Sequence, residues 1–322
     1  MEIFNLTLVQ TASMFILIIA GFVLRKMNIL PEGSDRILSK LETYLLCPAL
    51  SLSNQITNCN VKTFSENAPL MFYGLGLAVA AILLSYPLSR PFAKGWKTSP
   101  EIAYQRQIYK YALVFGNYGY VGNFLVLGIW GDEVYFKYSM FTFLLGLLCY
   151  AWGISILVPK GEGNSPLKNL KKGLLNPPFI AILIGMFLGL TNLGKYIPDF
   201  AMTAFKNAGN CMGPVAMILA GVVMGGYKFR DLISNKKVYI TTFLRLVVIP
   251  AVFVSVMRLF GAKNDIVLFT FIAFAVPIGM NTIIYPATYG GDTKTGAAMT
   301  MVSSVISVIT IPLMYLLFIV LL

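Results

Sequence analysis

Apolar residues in this chain come in runs of about twenty, without the two-residue alternation of a half-buried strand. Runs of that length match a hydrocarbon layer roughly 30 Å thick at 1.5 Å of helical rise per residue. Ten membrane-spanning helices are predicted, at 7–24, 37–56, 69–88, 108–130, 136–158, 177–193, 207–226, 238–260, 266–288 and 297–321. Between them stand breaker-rich stretches: LPEGSD at 30–35, GWKTSP at 95–100, KGEGNSP at 160–166 and GGDTKTG at 290–296. The segment 37–56 carries Lys40 and Glu42 in its first turns and counts as a span because TYLLCPALSLS beyond them is apolar.

Composition agrees with the pattern. Hydrophobic residues make up 57% of the 322 positions, charged residues 12%, and the mean hydropathy is +0.75. A soluble domain carries roughly 25% charged residues. The chain therefore reads as one all-α polytopic membrane domain over 1–322. Lysine and arginine crowd alternate loops by about three to one, which puts both termini on the outer side of the plasma (inner) membrane. The net charge of +12 is then mostly an orientation signal facing anionic lipid, and nucleic-acid binding is disfavoured. The first span is followed by Arg25 and Lys26 and preceded by no basic residue, the reverse of a cleavable signal peptide.

The chain has no histidine, and Cys47, Cys59, Cys149 and Cys211 are spaced for neither a disulfide framework nor a metal site. No GxxxxGK[ST] loop, HExxH or GxSxG motif is present, so no cofactor and no enzymatic chemistry is expected.

Ten spans around a basic middle loop divide into two five-helix repeats, 1–158 and 177–322, joined by a cytoplasmic linker at 159–176. An odd number of spans per half inverts the second half relative to the first. GIWGD at 128–132 and TYGGD at 288–292 end the fourth and ninth spans at an offset of 160, and the same offset aligns Gly119 with Gly279. LLCPAL in the second span has a counterpart in CMGPVAM in the seventh, which matches Pro48 to Pro214.

The polar, breaker-rich spans then form a pair. The fourth holds Gly116, Asn117, Tyr118, Gly119, Gly122 and Asn123, and the ninth holds Pro277, Gly279, Asn281, Thr282 and Pro286. Breaking a helix in hydrocarbon frees backbone N–H and C=O groups at several kcal/mol each unless a cavity, a ligand or a neighbour satisfies them. Half-helix N-termini concentrate positive potential suited to a carboxylate, and asparagine adds donors and acceptors. Asn117, Tyr118, Gly119, Asn123, Pro277, Asn281, Thr282 and Ser51 are the candidate substrate-binding residues. Gly116, Gly122, Phe124, Gly279, Pro286, Pro48 and Pro214 are the candidate breaks and hinges. The glycines in GMFLG at 185–189 and GVVMG at 221–225 read as close-packing surfaces. Arg245, well inside a span, has two roles open to it: anchoring broken-helix carbonyls or a carboxylate such as Glu42, or meeting an anionic substrate. Glu42 is either its partner or an interfacial residue that snorkels.

The run from Gly116 to Phe124, followed by VLGIWGDE, resembles the NxGxxGxP stretch of the auxin efflux carrier family, which includes bacterial malate permease-like carriers. VPIGMNTIIYPATYGGDTKTGAA at 276–298 is similar to that family's ninth span, and FLRLVVIPA at 243–251 to its eighth. The resemblance implies broken fourth and ninth helices crossing at a substrate site, organic-anion transport by an elevator-like movement, and a homodimer. Asn117 matches the family's fourth-span asparagine and Pro277 its ninth-span proline, while Phe124 departs from the family at a position usually held by proline. A coupling ion, sodium or proton, is left open: Glu42 is the one carboxylate within a span, and neutral oxygen ligands for sodium leave no charged signature. The alternatives to an organic-anion carrier are a cation or bile-acid-type symporter of related fold and a channel.

Overall fold

The computed structural model describes residues 2–158, 165–288 and 291–321. All regular structure among these residues is helical. Helix α1 is Glu2–Lys26, α2 runs through 34–58, and α3 is Val61–Leu88. Helix α4 (Pro100–Val114) is followed, after a break, by α5 (118–130) and α6 (132–157). Helices α7 (Pro166–Leu174) and α8 (Pro177–Leu190) meet at a 56° bend. Next come α9 (Asp199–Gly225), α10 (Lys236–Leu259), α11 (Asn264–Ala275), α12 (Asn281–Thr288) and α13 (Thr293–Val320).

Local chemistry sets many of these ends. Asn60 and Thr63 form a reciprocal capping box at the start of α3. Ser99 caps α4 ahead of Pro100, and the Asp292 carboxylate accepts the Thr295 amide at the start of α13. The continuous apolar stretch 118–157 would measure about 60 Å as one helix, twice the hydrocarbon layer. Gly131, at φ 78° and ψ −170°, divides it into α5 and α6, a conformation closed to residues with a Cβ.

By length and apolarity alone, six of the helical stretches can cross a bilayer, or seven if the bent α7–α8 pair is one crossing. The ten predicted spans are not all continuous helices. The fourth and ninth are interrupted, the sixth is the 14-residue α8, and the second carries charge. Residues 159–164 of the predicted linker, and Tyr289 and Gly290 of the TYGGD motif, lie outside the described residues.

Helix α1 lies along α9 and also packs against α13, α2 lies along α8 and α9, α3, α4 and α6 pack together, and so do α10 to α13. Glycines permit the closest approaches. A Cβ on Gly221 would lie 2.0 Å from the Ile18 carbonyl oxygen, and one on Gly189 2.3 Å from that of Cys59. The 185–189 and 221–225 motifs are thus packing surfaces, as their spacing predicts.

Several expected hinges are not breaks. Gly122 and Phe124 lie in α5, Pro286 lies inside α12, and Pro214 sits within the unbroken α9. Pro48 does not break α2 either. Proline cannot donate to the carbonyl four residues back, and the chain accommodates it with a π-helical turn over Glu42–Leu46 just upstream. Pro250 follows a second such turn, Leu244–Val248, in the same way. These two π turns carry Glu42 and Arg245.

Candidate functional site

Helix α4 ends at Val114 and α11 at Ala275, and the extended segments that follow cross each other. Gly116 and Ile278 form an isolated antiparallel bridge, and the Asn117 amide donates to the Pro277 carbonyl at 2.7 Å. Asn117 and Pro277 are the positions related by the offset of 160. The crossing is close enough to need a glycine at 116 and to leave little room for a side chain at 279. A Cβ on Gly116 would stand 2.9 Å from the Val276 carbonyl oxygen, and one on Gly279 3.2 Å from that of Gly116.

Arg245 holds both helix ends beside this crossing. Fully buried, it donates from Nη2 to the Ala273 carbonyl at 3.0 Å and from Nη1 to the Val114 carbonyl at 3.4 Å, with its guanidinium 5.3 Å from the Phe274 ring centroid. Carbonyls at a helix C-terminus are unsatisfied and carry partial negative charge, so one cation serves two ends at once. It neither pairs with Glu42 nor lines the cavity described next.

On the other side of the crossing, α5 and α12 begin beside a cavity of about 400 Å³. The first amides of a helix have no partner within it, and residues 118–120 and 279–281 all line this space. Asn117 lines it too, 7% exposed, and its side chain has no hydrogen-bond partner among the described residues. Asn281 donates from Nδ2 to the Tyr111 hydroxyl at 2.8 Å, which in turn contacts Cys149 Sγ at 3.2 Å. Asn123 and Ser51 also reach the cavity.

Other predicted site and hinge residues lie outside the lining. Thr282 is buried, donates to the Gly279 carbonyl at 2.9 Å and meets Thr300 Oγ1 at 3.3 Å, so it braces the break. Pro277 contributes only its carbonyl to the crossing. Phe124 packs against Gly213 of α9, and its own carbonyl accepts from Gln10 Nε2 at 3.2 Å. Gly122 leaves room for the Tyr138 hydroxyl, which donates to the Tyr118 carbonyl at 3.1 Å.

Beyond Ser51, much of the wall follows helical periodicity without any breaker or charge to mark it. Ser39, Thr43, Cys47 and Ser51 recur every fourth residue along α2, and all four line the cavity. A π turn spends more residues per turn than an α turn, so the Glu42–Leu46 segment keeps this four-residue stripe on one face. Tyr135, Ser139, Thr142, Gly146 and Cys149 form a second stripe at alternating spacings of four and three. Asn169, Lys172 and Asn176 complete a third side from α7 and the bend after it. Lys172 is the one charged residue lining the cavity among the described residues, and no carboxylate lines it. Five asparagines, a lysine and two half-helix N-termini give the lining many hydrogen-bond donors alongside neutral acceptors.

Broken helices crossing beside a polar cavity, inside a bundle of helices long enough to span a bilayer, mark a multi-pass membrane transport protein. The family model described as membrane transport protein matches residues 6–315, and the chain belongs to that family, the auxin efflux carrier family whose motifs it carries. The chain is 24% identical over 310 residues to the uncharacterized transporter YfdV of Escherichia coli (strain K12), covering 92% of this chain and 93% of the relative. It is 23% identical over 309 residues to the uncharacterized transporter MJ1031 of Methanocaldococcus jannaschii, covering 92% and 94%.

Proposed function

We propose that this protein is a secondary carrier that moves a small organic anion, such as a mono- or dicarboxylate or an indole-type acid, across the plasma membrane by elevator-type alternating access. The observation that carries the reading is the crossing itself. Two interrupted helices present their N-termini and Asn117 and Asn281 to one cavity that no carboxylate lines among the described residues.

In this reading, 1–158 and 177–322 are two inverted five-helix repeats, with α4–α5 and α11–α12 as their broken fourth helices. Hydrogen bonding between positions 160 apart supports the pairing. In the same reading α1, α2, α8 and α9 act as a frame and α3 to α6 with α10 to α13 as a body bearing the crossing, with α1 packed on both α9 and α13. Sliding the body against the frame would carry the anion across while Arg245 keeps the crossing intact.

Thermal denaturation of the purified protein with malate, lactate and indole-3-acetate, with and without sodium, tests this. A ligand that binds only the folded state raises its apparent stability, by about 2.7 kcal/mol at a hundredfold excess over Kd. Stabilisation by one of the anions, followed by its uptake into proteoliposomes, is the expected result. Stabilisation by sodium alone, with ion flux and no anion movement, would instead identify a cation exchanger or channel.

A further inference from the structure

Glu42 is fully buried on the frame helix α2. Among the described residues its Oε1 has no hydrogen-bond partner, and its Oε2 accepts only the Cys47 thiol at 3.6 Å. No cation answers it: the ion pairs among the described residues are those of Lys137, and Lys40 of the same helix is exposed. The surrounding elements supply none either. Helix α8 has no ionisable side chain, and α9 has none between Met212 and Gly225. The ionisable groups that face Glu42 are Cys47 of its own helix and Tyr120 of α5.

An ionised carboxylate left unpaired in a dry interior is among the costliest groups a fold can contain, and it is tolerated there as the neutral acid. The position is also connected to the transport path. Thr43, Cys47 and Tyr120, which surround Glu42, all line the cavity. Tyr120 belongs to the half-helix that follows the break, so movement of the body past the frame changes what covers Glu42.

We propose that Glu42 is the proton-carrying group of this carrier, exchanging its proton with water in the cavity when the body moves, so that anion movement is coupled to proton movement. The inference rests on the carrier reading above. In the step itself, the O–H bond of the Glu42 carboxyl breaks, the proton passes to a cavity water, and the carboxylate left behind is hydrated. It is reprotonated from water before the dry arrangement re-forms.

Two measurements on the full-length protein in lipid vesicles test the proposal. Infrared difference spectra between wild type and Glu42→Gln should show a protonated carboxylic acid carbonyl band in wild type that the variant lacks. Flux of labelled malate, lactate and indole-3-acetate, measured with an internal pH dye, should vary by up to about tenfold per pH unit in wild type, as one bound proton dictates. Glu42→Gln should move the same anion at a rate independent of pH and without internal pH change. Pairing the two variants Glu42→Gln and Glu42→Asp separates proton loss from misfolding, since Asp restores the proton site and with it pH dependence. Flux with wild-type pH dependence in Glu42→Gln, or no acid band assignable to Glu42, overturns the proposal while leaving the carrier reading standing. Absence of anion flux in wild type overturns both.

Discussion

Placing a methyl group at Gly116 probes the crossing where it is tightest. In Gly116→Ala the new Cβ would stand 2.4 Å from Arg245 Nη2, 2.9 Å from the Val276 carbonyl oxygen and 3.0 Å from Val276 Cγ2. Comfortable contacts between such atoms begin near 3.5 Å, so something must yield by about an ångström. If Arg245 withdraws, its 3.0 Å bond to the Ala273 carbonyl goes, and a hydrogen bond from a charged group is worth about 1.5–3 kcal/mol. If the two segments part instead, the Asn117–Pro277 bond is lost, at about 0.5–1.5 kcal/mol, with overpacking strain of about 1–3 kcal/mol added. The first route costs about 1.5–3 kcal/mol and the second about 1.5–4.5 kcal/mol.

At roughly 2 °C per kcal/mol for a chain of this size, the apparent Tm in detergent should fall by on the order of 3–9 °C. Gly119→Ala is the matched control. Gly119 lines the same cavity, yet a Cβ there meets no atom within 4 Å, so stability should hold while transport changes. A Gly116→Ala protein with an apparent Tm within about 1 °C of wild type refutes the packing argument. Equal losses in both variants would refute it too.

Asn117→Ala and Asn281→Ala should each lower anion uptake into proteoliposomes by about tenfold or more, the effect of about 1.4 kcal/mol, with folded protein still recovered from the membrane. Asn281→Ala should also cost some stability, because it frees the Tyr111 hydroxyl. Lys172→Gln should raise the half-saturating anion concentration by about two- to five-fold at low ionic strength, an effect that added salt erases. Phe124→Pro should change transport rate through the α9 contact at Gly213 and leave the order of preference among anions intact, as a competition assay would show.

The chain alone determines its class, because the signals for it are local. Apolar length sets the bilayer-crossing helices, and the density of glycine, proline and asparagine at 116–123 and 277–286 marks the two interruptions wherever the rest of the chain goes. The small-residue motifs at 185–189 and 221–225 declare their packing in the same local way. Proline was a less direct guide. Pro48, Pro214 and Pro286 read as hinges, yet each sits within a helix, Pro48 directly after a π turn that accommodates it.

Only the tertiary structure decides which interruptions meet, and on what. In a membrane protein the faces toward lipid and toward the interior are both apolar, so hydropathy does not say which side of a helix finds a partner. The bridge between Gly116 and Ile278, the single arginine serving Val114 and Ala273, and the arrival of Lys172 at the cavity all join residues far apart in the chain. Arg245 and Glu42 make the contrast plainest. Both were visible as charges within spans, and both ride on π turns set by a following proline. One ends beside two helix termini whose carbonyls accept from its guanidinium, and the other in a pocket without a cation among the described residues, a difference fixed by what packs around them.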